Sequence, residues 1–390
     1  MDFSLDESKK IQKIFLGVLT GITIFGIIMV YSSSYFYAKE IFGSSVYFLT
    51  RQFLFLIISI IVALTISKTK FSFWIKYGHY IHYFAVSLLL CTFIPDISIE
   101  VKGAHRWIEI LGIRFQPGEL VKFTIIIALL NYFEFFSSFN KKQKTFRILW
   151  IMAPLLLLVK QPDFGSFIIC FLAIGFVSYL SSIPRKYCYG ILTVGLALGT
   201  LLMFNKQYRV ERILSFLNPW QSPQGSGFQI IQSFLAFANG SLWGQGLGNS
   251  KEKLFYLPEA HNDFIFSVVG EEWGFIGVFI IVTLFVILIY TGLKLSLQAK
   301  KQVNFLLISS ITFLFGIQAL LNMGVVLGLL PTKGLNLPFI SYGGSSLISN
   351  FFGVGLILSA SKNHTFSTSP AKNPKRPSID FPSSASFDTN

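Results

Sequence analysis

Ten apolar runs divide this 390-residue chain: 14–31, 52–67, 77–94, 118–136, 147–159, 163–181, 188–204, 264–293, 304–330 and 341–360. A helix needs about 20 apolar residues to cross the hydrocarbon core of a bilayer. Inside lipid every backbone N–H and C=O has to be satisfied within the protein, which makes helices the natural reading of such runs. The chain is 53% hydrophobic and only 13% charged, whereas a soluble domain is about 25% charged. The expected fold is an all-α polytopic membrane protein with about ten transmembrane helices.

The basic residues orient it. With the N-terminus inside, the inner segments carry Lys9, Lys10 and Lys13; Lys68, Lys70 and Lys76; Lys141, Lys142, Lys144 and Arg147; Arg185 and Lys186; Lys294, Lys300 and Lys301; and Lys362, Lys372, Lys375 and Arg376. Every inner connection is basic, as the positive-inside rule expects. Both termini are predicted to be cytoplasmic. The net charge of +14 does not point to nucleic acid, because the cations alternate with apolar spans. Cys91, Cys170 and Cys188 lie in or beside apolar segments and form neither a disulfide framework nor a metal site. His79 and His82, spaced i, i+3, have no third ligand nearby and read as a polar pair.

Residues 1–13 form a short N-terminal segment ahead of the ten-helix region, 14–360. Two outer connections stand out, 95–117 and 205–262. The second, between helices 7 and 8, is far longer than ordinary connections. Trp220, Phe228, Phe234, Phe237, Trp243 and Phe255 make it too aromatic for disorder. It is expected to lie on the membrane surface, with a short amphipathic helix near 228–238. The tail 361–390, rich in Ser, Pro, Lys and Asn, reads as disordered.

Four polar constellations interrupt the apolar pattern. In LPEAHNDFIF (257–266), Glu259, His261 and Asp263 stand directly before a 30-residue run. Asp263 suits a helix cap or chemistry at a cavity. The run itself would reach about 45 Å as one helix, too long for one span, so part of it must line protein or water. Glu271 and Glu272 within it are either functional or else neutral or ion-paired structural groups. In VKGAHRWIEILGIRFQPGELVKF (101–123), Lys102 and Arg106 sit on the side where positive charge is not favoured, which fits an anionic ligand such as a phosphate. Trp107 suits an interfacial anchor. Pro117 fits a first helical turn, and Glu119 can pair with Lys122. In KQPDFGSF (160–167), Asp163 after Pro162 reads as a cap. In LLPTKGLNLPFISYGGSSL (329–347) the prolines and glycines cannot continue a helix. Lys333 and Ser341 lie in that irregular stretch, and Gly343 and Gly344 allow close approach of a ligand or a neighbouring helix. Lys102, Arg106, Asp263 and Lys333 map to one side of the membrane. An outward cavity with cations, carboxylates and lipid access suits a lipid-linked pyrophosphate.

GAHRWIEILGIRFQPGE, KQPDFGS, LPEAHNDFIFSVVGEEWGFIG and NMGVVLGLLPTKGLNLPFISYGGSS resemble the signature segments of the SEDS family, the FtsW, RodA and sporulation-type proteins of bacterial wall synthesis. The resemblance runs from about residue 10 to 360. EAHNDFIFSVVGEE and GVVLGLLPTKGLNLPFISYGG look more like the division branch, FtsW, than the elongation branch. The resemblance implies a peptidoglycan glycosyltransferase that polymerises lipid II, an undecaprenyl-pyrophosphate disaccharide-pentapeptide, at the outer face of the cytoplasmic (inner) membrane. It also implies a class B penicillin-binding protein as partner and a place in the division complex. The family's essential carboxylate matches Asp263 and its motif tryptophan matches Trp107. Asn262 departs from the family's frequent Thr.

The implied chemistry makes Asp263 the general base on the acceptor 4-hydroxyl, in one inverting displacement of the pyrophosphate lipid. Such a base contributes about 10²–10⁴-fold. The leaving charge needs Arg106, Lys102, Lys333 or a divalent cation, Mg or Mn; no other cofactor is implied. Glu259, His261, Ser341, Gly343 and Gly344 complete the expected substrate-binding set, with Trp107. Two other readings compete: a lipid II flippase, and a non-catalytic scaffold that recruits a transpeptidase. A flippase needs polar groups through both leaflets, and apart from Glu134 the inner half of the spans has few. A scaffold does not account for Asp263.

Overall fold

The computed structural model describes residues 5–101, 104–110, 113–181, 183–204, 207–225, 227–253, 257–258 and 260–362. Lys102, Glu259 and the tail beyond residue 362 lie outside the described residues. The helices are α1 (Leu5–Phe42), α2 (Tyr47–Lys68), α3 (Phe71–Cys91), α4 (Pro117–Glu134), α5 (Lys141–Lys160), α6 (Phe164–Leu180), α7 (Arg185–Phe204), α8 (Gln207–Leu217), α9 (Phe228–Gly240), α10 (Ile265–Leu297), α11 (Gln302–Val326) and α12 (Gly344–Lys362). Each of the ten apolar runs falls wholly or mostly within one of these helices. Five of them, α1, α2, α10, α11 and α12, are long and apolar enough to cross a membrane by length and composition, and α6 is a shorter apolar helix. The protein is a multi-pass membrane protein.

The core is built around α12. It packs most extensively on α2 and also touches α11 and α4, and it is buried nearly throughout. Lipid-facing apolar side chains lie instead on one side of α2 and of the second half of α10, where Phe53, Leu54, Ile61, Phe279 and Val286 are exposed. A membrane protein shows this distribution because lipid is as apolar as its interior.

Helix α1 begins at Leu5, so Lys9, Lys10 and Lys13 lie on the helix and not in a separate segment. It runs beside α10 and meets it at two polar levels. Glu7 pairs with Lys294 at 3.4 Å, and Ser32 donates to the Glu272 carboxylate at 2.7 Å. At 1.5 Å per residue these levels are about 33 Å apart along α10 and about 38 Å apart along α1. A hydrocarbon core is about 30 Å thick. The two levels therefore bracket one bilayer core, with the Lys-rich end at Glu7 and the long connections at the other.

The connection 95–117 holds the one departure from all-helix in the described residues. Strands β1 (Ser98–Val101), β2 (Ala104–Ile110) and β3 (Ile113–Phe115) form an antiparallel sheet in that order, with Ile108 facing Phe115 across β2 and β3. β-branched residues favour such a pleated surface. The sheet lies against the heads of α4 and α12.

Candidate functional site

Helix α10 is broken at Gly274, whose φ of 63° and ψ of −162° leave the helical region. A Cβ there would lie 2.4 Å from the Gly244 nitrogen, so the close approach needs glycine. A break exposes backbone groups, and here residues 241–246 satisfy them. The N–H groups of Gln245 and Gly246 donate to the carbonyls of Glu271 and Glu272 at 2.9 and 3.0 Å, and those of Phe275 and Ile276 to the carbonyls of Ser241 and Leu242 at 2.9 and 3.3 Å. Irregular backbone at membrane depth is tolerated under that condition. Residues 265–272 are all buried, as the length of the run requires.

Glu271 and Glu272 are used in building this structure. The Glu271 carboxylate accepts from the Ser250 hydroxyl and from the Lys251 N–H at 2.8 Å. Glu272 pairs with Lys253 at 2.6 Å with both side chains buried, and Ser32 adds its hydroxyl. Of the two readings left open for them, the contacts take the structural one, ion-paired for Glu272 and hydrogen-bonded for Glu271.

Asp263 lies two residues before α10, whose N-cap position is Phe264. It is half-buried, and its backbone is held on several sides. Asn322 of α11 donates to the Asp263 carbonyl at 2.8 Å and to the Leu335 carbonyl at 2.5 Å. Ser341 donates to the Asn262 carbonyl at 2.7 Å and accepts from the Leu337 N–H at 2.8 Å. The Tyr342 N–H donates to the His261 carbonyl at 3.0 Å. Gln52 of α2 donates to the Ser341 carbonyl and accepts from the Gly343 N–H, both at 3.3 Å. Two irregular segments, 261–263 and 335–343, are thus laced together by amide and hydroxyl side chains.

The Asp263 carboxylate lies over the second segment. A Cβ built on Gly334 would stand 2.9 Å from Oδ2. Its neighbour Lys333 is half-buried, and desolvation lowers the ammonium from its ordinary value to about 8. The chain thus carries a partly desolvated cation one residue from the glycine against which the Asp263 carboxylate sits. A buried cation gains from an incoming anion that restores its lost solvation.

Several other expected site residues among those described meet neighbours inside the fold. His261 is buried among Phe48, Tyr37 and Tyr342, with ring centroids at 4.5, 5.6 and 5.8 Å. A Cβ on Gly343 would lie 2.5 Å from the Asn336 amide, and one on Gly344 would lie 2.6 Å from the Phe55 ring. The approach that Gly344 permits is that of helix α2. Arg106 serves the fold as well: its guanidinium donates to the carbonyls of Gln161 at 3.4 Å and Pro162 at 2.6 Å. Those carbonyls end α5, where a helix leaves acceptors unpaired and its dipole favours a cation. Asp163 caps the next helix, accepting from the Ser166 N–H at 3.1 Å, so Arg106 and Asp163 stabilise opposite sides of one tight turn. Trp107 is half-buried in β2 opposite Ile99. Glu119 and Lys122 form a buried pair at 2.8 Å. His82 bonds Thr124 at 3.1 Å and the Trp150 carbonyl at 3.2 Å. Asn322, Gln52, Ser32 and Lys253 were not expected from the sequence.

With this geometry in place, the similarities to known proteins acquire meaning. The family model for Cell cycle protein, covering FtsW, RodA and SpoVE, matches residues 12–366. The chain belongs to this family. It is 43% identical over 371 residues to the probable peptidoglycan glycosyltransferase FtsW of Geobacter metallireducens, covering 92% of this chain and 96% of that one. It is 38% identical to the FtsW of Nitrosomonas europaea, covering 85% and 88%. Among solved structures, it resembles a chain of a peptidoglycan synthase complex that coordinates polymerization and crosslinking, with a TM-score of 0.72 and 27% identity over 90% of this chain and 98% of that one. RodA of Thermus thermophilus shares the fold, with a TM-score of 0.66, 24% identity and 90% and 97% coverage. Within the family, the relatives place the chain in the FtsW branch.

Proposed function

We propose that this protein is a peptidoglycan glycosyltransferase of cell division that polymerises lipid II at the outer face of the bacterial cytoplasmic membrane. The observation that carries the reading is the seat of Asp263: a half-buried carboxylate on a laced backbone, against Gly334 and beside Lys333. The names of the relatives support the reaction class. The resemblance to a polymerizing and crosslinking complex supports a transpeptidase partner of the class B penicillin-binding type.

Depth is consistent with the chemistry. Ile265, the first residue of α10, precedes the Glu272 level by seven residues, about 11 Å, and Asp263 stands two residues before it. A sugar joined through pyrophosphate to a membrane-buried lipid reaches that height while its tail stays in hydrocarbon. Asp263 accepts the proton of the acceptor 4-hydroxyl as that oxygen attacks the donor's anomeric carbon. The bond to the pyrophosphate breaks with inversion, and Lys333 meets the developing negative charge.

The test is polymerisation of fluorescent lipid II by purified protein, with and without the partner. Glycan ladders from the wild type and none from Asp263→Asn are expected. Translocation of lipid II across liposomes without polymer would favour the flippase reading instead.

A further inference from the structure

The segment 241–249, SLWGQGLGN, carries no charge and presents its largest apolar side chains outward. Trp243 is 81% exposed, Leu242 60% and Leu247 54%. Exposure on this scale usually marks a flexible loop, yet this one is tightly held. Its backbone is bonded to both sides of the break in α10, and Gly244, Gly246 and Gly248 take φ values of 79°, 90° and 86° that shape it into a compact clasp. Something outside the chain must meet these side chains.

We propose that Leu242, Trp243 and Leu247 form a wedge that inserts into the membrane interface and anchors the break of α10 at a fixed depth. Two observations identify the lipid. The clasp bonds to Glu271 and Glu272, at the polar level that lies about one hydrocarbon thickness from the Glu7–Lys294 pair. It also continues the exposed strip of α10, for Leu242 accepts from Ile276, and Phe275, Ile276 and Phe279 are exposed below it. Tryptophan and leucine on an uncharged loop at that height match the interfacial belt, where an indole keeps its N–H among headgroups and its ring among acyl chains. The wedge thereby fixes the depth of the break, and through the first turns of α10 it sets the height of Asp263, two residues before that helix begins. The wedge itself does not depend on the glycosyltransferase reading, only on the chain spanning a bilayer.

The experiment compares wild type with Trp243→Phe in phosphatidylcholine vesicles, reading tryptophan emission. The difference signal, which belongs to Trp243, should be largely quenched by lipids brominated near the headgroup end of the chain. Lipids brominated near the bilayer centre and aqueous iodide should quench it little. A Leu247→Trp variant in the Trp243→Phe background should repeat that profile. Strong iodide quenching of both, with no loss from shallow brominated lipid, would overturn the wedge. Iodide quenching that disappears only when the partner transpeptidase is added would also overturn it, and assign the patch to protein docking.

Discussion

Asp263 and the pair Glu271 and Glu272 enter the same helix within ten residues of one another, and the fold treats them in opposite ways. The pair is buried and surrounded by donors: Ser250, the Lys251 N–H, Lys253 and Ser32. Asp263 is held by its backbone, through Asn322, while its side chain remains half-buried over Gly334. The difference teaches that a carboxylate at membrane depth is not in itself a functional signal. What separates the two cases is burial: Glu271 and Glu272 are closed off from the surface, whereas Asp263 stays half-buried at the lip of the helix. In the first arrangement the charge builds structure. In the second the structure presents the charge.

The largest expected effect falls on the presented carboxylate. Asp263→Asn should lower polymerisation about 10²–10⁴-fold while leaving the unfolding temperature near that of wild type, because the amide keeps the side chain's size and one acceptor oxygen. The pair should behave in reverse. Glu272→Leu alone leaves Lys253 buried without its partner and should cost about 3–5 kcal/mol, read as a fall in thermal stability in detergent. Lys253→Met with Glu272→Leu should recover most of it.

A smaller effect sharpens the contrast from the lacing. Asn322→Ala removes the donor shared by the Asp263 and Leu335 carbonyls. A displacement of the base by about 1 Å costs on the order of 10²-fold, so kcat should fall toward that limit with KM nearly unchanged. The smallest effect concerns Lys333. Anion binding needs its protonated form, which is present below about pH 8 and lost above it. From pH 7 to 9 the charged fraction, and with it pyrophosphate affinity, should drop about tenfold. Lys333→Arg should flatten that limb, because a guanidinium stays charged. An unchanged limb in that variant would remove Lys333 from the leaving-group role.

The sequence makes some of this legible and leaves the rest hidden for physical reasons. Apolar runs declare helices because lipid forces the backbone to close on itself. Asp263 and Lys333 stand out because charge is rare in such a chain. That part of the 264–293 run lines protein follows from its length, since 30 residues overreach a bilayer, but the break at Gly274 does not, for α1 runs 38 residues unbroken. The helix-end bonds of Arg106 were hidden, because a cation on the outer side reads as an anion site whether or not it also serves the end of a helix. The sheet at 98–115 had a signal in Ile99, Val101, Ile108, Ile110 and Ile113, overshadowed by the charges between them. Asn322 and Gln52 could not be found, because a neutral amide inside a helix has no pattern until the fold brings broken backbone beside it.

The central claim is that Asp263 does chemistry while Glu271 and Glu272 build the site. One comparison tests it directly: lipid II polymerisation by purified Asp263→Asn beside the Lys253→Met/Glu272→Leu double variant, both shown to be folded. The double variant should polymerise within about tenfold of wild type, since its losses are structural and compensated, and Asp263→Asn should produce no glycan ladder. Ladders from Asp263→Asn at the wild-type rate, with none from the folded double variant, would contradict the account.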